Sequence, residues 1–189
     1  MFKIIMGVLS CWGFIVNGVF LAFFAKFVFA NPDPAECWVF PLAPLGEPQV
    51  VNENPNDMKY TDMATLFRTY MLVGFGFYIY SITKQCWTVI GCFAKSRIMM
   101  KLNNACGICD CIGLGLIIAG AILIWGESGS IAIGANAAPG EDTSMYLTEQ
   151  GKFLNFYVMF CIIYGIVSCA LICCCMCAGF VAAAGAASN

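Results

Sequence analysis

The chain has 189 residues, 61% of them hydrophobic and 11% charged, with a formal net charge of −2 and no histidine. Soluble domains average about 45–50% apolar and about 25% charged residues, so this balance, with a mean hydropathy of +0.83, predicts a one-domain integral membrane protein. The missing histidine excludes His-ligated haem, the usual catalytic zinc sites and Ser-His or Cys-His nucleophile pairs, and nine scattered basic residues against eleven acidic ones argue against nucleic-acid binding.

The first apolar segment, 4–30, is long enough to cross a bilayer core of about 30 Å. Val28-Phe29-Ala30 resembles a cleavage site, but the stretch from Ile4 to Ala25 is too long for a signal h-region. An uncleaved first span is expected, with Lys26 snorkelling to the outer surface and Asn17 as a polar group inside it. Residues 31–64 form a first outer loop holding six of the seven prolines, which disfavours helix and favours extended backbone. Within it, Cys37-Trp38-Val39-Phe40 is apolar enough to dock on the helix tops or to offer a surface to a protein partner. Cys37 is the single cysteine expected outside the membrane, which leaves it either a free thiol or an intermolecular disulfide.

A second span is predicted at 65–93. It is rich in aromatic residues (Phe75, Phe77, Tyr78 and Tyr80) and carries Lys84 and two cysteines, Cys86 and Cys92. The connection 94–104 holds Lys95, Arg97 and Lys101 and no acid. A third span, 105–126, opens on Cys106-Gly-Ile-Cys109-Asp110. A second outer loop, 127–151, has Ser130-Ile131-Ala132-Ile133, expected as a short strand pairing with Gln49-Val50-Val51. A fourth span, 152–179, ends in Cys173-Cys174-Cys175-Met-Cys177, followed by a short tail. Basic residues near the span ends are evenly divided between the two sides. The dense inner turn at 94–104 places both termini in the cytoplasm, with Trp125 and Tyr70 in an outer aromatic belt.

Two patterns concern function. Gly107, Cys111, Gly115 and Ala119 recur every four residues on the third span, and Cys161, Gly165, Cys169, Cys173 and Cys177 do so on the fourth. Such spacing keeps small residues on nearly one helix face, where they allow close helix approach. The expectation is tight packing of the third span on the fourth, or of either on a neighbouring molecule. Lys84 and Asp110 fall at similar depth on either side of the basic turn and are expected to pair across the hairpin, since an intramembrane charge is costly alone. Cys86, Cys92, Cys174 and Cys175 lie near the inner surface as candidates for reversible lipidation. The Cys106–Cys109 pair embedded in apolar helix is a weak metal or redox signal, since structural sites want two such pairs in a closed polar loop.

Four spans, a longer first outer loop, a short basic inner turn and inner-end cysteines together resemble the tetraspan membrane proteins, such as tetraspanins, claudins and MARVEL-type proteins. The resemblance is one of topology. Residues 127–151 lack the cysteines of a tetraspanin second loop, and Trp38 stands beside a single Cys37 where claudins carry two cysteines. It implies a role in organising membranes by lateral association. The sequence thus predicts an all-α protein, a four-transmembrane-helix bundle with two outer loops, in the plasma membrane or a secretory-pathway membrane. Its expected function is structural: self-association with lipid into an oligomer, filament or array, with no catalysis, metal or cofactor and no nucleic-acid partner. The alternatives are a channel or transporter subunit with Lys84 and Asp110 in a polar path, and a membrane thiol-redox protein using Cys106 and Cys109.

Overall fold

The computed structural model describes residues 2–30, 36–43, 48–57, 59–93, 110–135, 144 and 146–187. Side chains inside its helices are described at 12–29, 63–90, 111–132, 148–171, 173 and 174. Helix α1 (Phe2–Phe29) contains no proline, and the Asn31-Pro32 dipeptide that follows in the sequence disfavours helix. Helix α2 (Met63–Phe93) starts on a side-chain cap. The Thr65 backbone N–H donates to Asp62 Oδ1 at 3.0 Å and the Thr65 hydroxyl donates to Asp62 Oδ2 at 2.6 Å, satisfying donors that a helix start leaves open.

Helix α3 (Asp110–Trp125) breaks at Gly126, where a Cβ would stand 2.5 Å from the Ile122 carbonyl oxygen. A short α4 (Glu127–Ala132) follows. The chain then turns through Gly134 at φ +71°, a conformation glycine adopts without penalty. Helix α5 (Thr148–Ala187) is about 60 Å long at about 1.5 Å per residue. It runs on past the expected end at 179, because Ala, Leu and Met support helix and no proline interrupts 148–187.

The first loop forms three two-residue strands: β1 (Trp38–Val39), β2 (Val50–Val51) and β3 (Thr61–Asp62). They make an antiparallel sheet in the order β2-β1-β3. Trp38 faces Val51 and Asp62, and Val39 faces Val50 and Thr61. The strand expected at Ser130–Ile133 is corrected: this segment belongs to helix α4 and the turn that ends it, and Val50–Val51 pairs within its own loop instead. The reason is local. The Ser130 hydroxyl donates to the Glu127 carbonyl at 2.8 Å, and Gly129 has its backbone against the Leu123 carbonyl, where any Cβ would collide.

The helices pack α1 on α2, α2 on α3 and α3 on α5, and rings join α1 to α5. Phe20 and Phe24 meet Tyr157 edge-on at 5.1 and 5.4 Å, and Phe23 stacks on Phe153 at 5.4 Å. Two helical stretches are long and apolar enough to cross a membrane, Trp12–Phe29 and Thr148–Leu171, and Cys111–Trp125 is a shorter apolar helix. Burial is unevenly distributed. Among the described residues, every buried side chain lies between the sheet and the level of Phe20, Tyr78, Leu116 and Val158. Among the described side chains nearer the other end of the helices (12–19, 79–90, 111–115, 159–171, 173 and 174), none is buried.

Candidate functional site

Two places concentrate unusual chemistry. The first is a seam where glycines admit aromatic rings. Gly74 of α2 lies directly under the Phe24 ring, in space a Cβ would occupy. At Gly113 of α3 a Cβ would come within 2.8 Å of Phe77, and at Gly120 within 2.7 Å of the Tyr70 hydroxyl and 2.9 Å of Val158. These contacts set the register: Phe24 beside Gly74, Phe20 beside Tyr78 at 5.7 Å, and Gly113 beside Phe77. Polar groups lock it. Buried Tyr70 donates its hydroxyl to the Leu116 carbonyl at 2.8 Å. The Tyr78 and Tyr157 hydroxyls share a hydrogen bond, and the Cys161 thiol bonds with both. In an apolar bundle such paired groups hold helices in place, since an unpaired one is costly.

The second place is the cap. Cys37, Val39, Val50, Met63, Phe67, Ala132 and Leu147 form one apolar core where the sheet, the top of α2, α4 and the start of α5 meet. The Met63 N–H donates to the Cys37 carbonyl and the Leu147 N–H to the Ala132 carbonyl, both at 2.8 Å. Cys37 is fully buried (0% exposed). Burial, with the Asp62 carboxylate adding to it, pushes its thiol from 9.0 up to about 12. Such a thiol is protonated near neutrality, and nucleophilic reactivity belongs to the thiolate. Of the two alternatives expected for Cys37, the fold shows it as a free thiol, its sulfur enclosed in the cap core.

The four-residue stripes do not make the contact between α3 and α5. Cys111, Gly115 and Ala119 are exposed on α3, and Gly165, Cys169 and Cys173 are exposed on α5. A Cβ at Gly115 or Gly165 would meet nothing within 4 Å. The inward face of α3 carries Gly113, Leu116, Gly120 and Ile124 instead, on the opposite side of the helix from the stripe. Cys161 is the exception, half-buried and engaged by the two tyrosines. Gly107, Cys106 and Cys109 lie outside the described residues, as do the side chains of Cys92, Asp110, Cys175 and Cys177, so the Lys84–Asp110 pair does too. Tyr70, expected in the outer belt, points inward, whereas Trp125 is 54% exposed and Lys26 is exposed with its ammonium 5.4 Å from the Phe27 ring.

Sequence reasoning missed Gly74, Gly113 and Gly120 because they fit no four-residue repeat. It also missed Gln85, whose side-chain nitrogen sits 2.7 Å from where a Gly13 Cβ would be and whose Oε1 is buried without a partner. The signal available was the tyrosines: Tyr70, Tyr78 and Tyr157 are polar residues deep in apolar segments, and a buried hydroxyl needs a mate. No family model matches the chain, no curated protein is detectably similar to it, and no solved structure matches its fold.

Proposed function

We propose that the chain is a four-span membrane protein that associates laterally with further copies of itself and with lipid, as a structural element of a larger membrane assembly. The observation that carries this reading is the outward face of the four long helices. Large apolar side chains point away from the bundle on α1 (Ile15, Val19), α2 (Leu72, Ile79), α3 (Ile118, Ile122) and α5 (Ile163, Ile166) alike. Apolar exposure on this scale is rare on a soluble monomer and marks a surface meant for lipid or protein.

Depth supports the same picture. A slab of about 30 Å centred on Tyr78 reaches Arg68 on its outer side, about 15 Å away at about 1.5 Å per residue. Exposed Lys26 and Lys152 lie near the same edge, with the capped loops beyond it. The inner edge falls near Thr88, and Lys84 lies within snorkelling distance of it. The basic connection 94–104 then faces the cytoplasm together with both termini, in the plasma membrane or a secretory-pathway membrane.

The outward stripes supply the means of association. Gly115, Ala119, Gly165 and Cys169 are small and exposed, and a Cβ at either glycine would meet nothing within 4 Å, so a second copy can bring its backbone close there. Cross-linking or energy transfer between differently labelled copies in liposomes tests this. Gly115→Leu with Gly165→Leu should lower the signal at least severalfold while leaving the helix content unchanged. An unchanged signal in that double variant would remove the stripes from the interface.

A further inference from the structure

The first and last long helices meet differently from the other helix pairs. α1 packs on α2, α2 on α3 and α3 on α5, whereas α1 and α5 are joined through rings. Phe23 and Phe27 lie 5.4 and 5.1 Å from Phe153, and Phe20 lies 5.2 Å from Phe160. The rings continue along α5: Phe156 is 6.1 Å from Phe160, and Phe160 stacks on Tyr164 at 5.9 Å. Phe20 and Phe153 are buried, while Phe23, Phe156 and Tyr164 are exposed, so the seam between α1 and α5 turns a surface of rings outward. From Lys152 to Tyr164 this surface runs about 18 Å at about 1.5 Å per residue, close to the depth of one leaflet of a core about 30 Å thick.

Charge stands at the outer end of the same seam. Lys26 is exposed, its ammonium lies 5.4 Å from the Phe27 ring, and Phe27 is a ring that meets Phe153. No carboxylate among the described residues pairs with Lys26. Lys152 directly precedes Phe153 on α5 and is exposed too, with a contact to exposed Glu149 at 3.4 Å. One cation therefore stands on each helix where the ring surface reaches the membrane edge. Resting on the membrane placement given above, we propose that the seam between α1 and α5 binds an anionic phospholipid of the outer leaflet. Its phosphate sits between Lys26 and Lys152, and one acyl chain lies along Phe23, Phe156, Phe160 and Tyr164. Cations at a membrane edge attract anionic headgroups, and the exposed Glu149 contact is weak enough for Lys152 to turn to the phosphate. A free anion would leave the ring surface without a partner, and an uncharged lipid would leave the two cations without one.

The full-length protein in phosphatidylcholine vesicles provides the test. Trace phosphatidylglycerol or phosphatidylcholine, spin-labelled on the acyl chain, is added, and the motionally restricted fraction of each is read by electron spin resonance. The expected result is a severalfold preference for phosphatidylglycerol, abolished in Lys26→Gln/Lys152→Gln. It should be kept in Arg68→Gln, whose exposed side chain stands at the same edge but on neither helix of the seam. Phe156→Ala/Tyr164→Ala should lower the restricted phosphatidylglycerol fraction. No preference, a preference kept in the double lysine variant, or equal loss in Arg68→Gln overturns the site, and an unchanged fraction in the ring variant overturns the seat of the chain. Loss of the preference to glycerol 3-phosphate at matched ionic strength marks a site for free phosphate and overturns the lipid. Flotation of the same vesicles after an alkaline carbonate wash separates this from the membrane placement. Protein that floats keeps the spanning reading, so a missing preference then counts against the lipid site alone. Protein released by the wash overturns the spanning reading, and the lipid site with it.

Discussion

At the scale of single residues, glycine positions decide how this bundle closes. Gly120 faces Tyr70 and Val158 so closely that any added carbon must displace a ring or the facing helix. Gly120→Leu should therefore cost about 1–3 kcal/mol or more through overpacking, read as a fall in thermal midpoint in detergent. Gly115→Leu, on the open face of the same helix, should leave that midpoint unchanged while weakening association. Equal effects from the two would refute the assignment of inward and outward faces. Cys37 offers a pH test. Its folded value is raised, from 9.0 to about 12, so the stability it contributes is fully present below about pH 9 and is lost as pH rises from there toward about 12. Alkaline unfolding of the cap should therefore shift to higher pH in Cys37→Ala. Maleimide should label Cys37 in native protein at neutral pH far more slowly than Cys174.

At the scale of elements, α2 depends on its first turn. Asp62 ends β3 and caps α2, accepting both bonds from Thr65, so one carboxylate joins the cap to the bundle. Asp62→Ala should cost about 0.5–2 kcal/mol and loosen the sheet edge, seen as faster amide exchange at Val39 and Thr61. How far the elements were legible follows from their physics. Long apolar runs fix helices without help from neighbours, so α1 and α2 begin and end within two residues of the expected bounds. The turn after α3 was not legible. Ile131 and Ile133 suit a strand by propensity, but Gly126 and Gly129 let the backbone fold tightly onto the end of α3, and tertiary contact overrode propensity. The stripes were visible as a pattern, but a pattern on one helix cannot say which way that face points. The facing rings of Phe24, Tyr70 and Phe77 decided it, and no spacing within one segment reveals a partner on another.

At the scale of the whole molecule, packing is polarised. A cap of sheet and short helix continues into a ring-filled half-bundle, and beyond Tyr78 the described side chains are half-buried or exposed. A fold firm at one end and more open at the other leaves apolar surface to be covered by something outside the chain, and the proposed assembly assigns that to further copies and to lipid. Tyr157→Phe probes the boundary. Loss of the hydroxyl that Tyr78 and Cys161 share should cost about 0.6–2 kcal/mol, lowering the thermal midpoint without altering particle size if the cluster acts within one chain. The central claim is tested most directly by imaging particles of the full-length protein extracted with its surrounding lipid. The account predicts particles of many copies, in rings, filaments or arrays, that fall to single copies in Gly115→Leu/Gly165→Leu. Wild-type particles holding one copy each would contradict it.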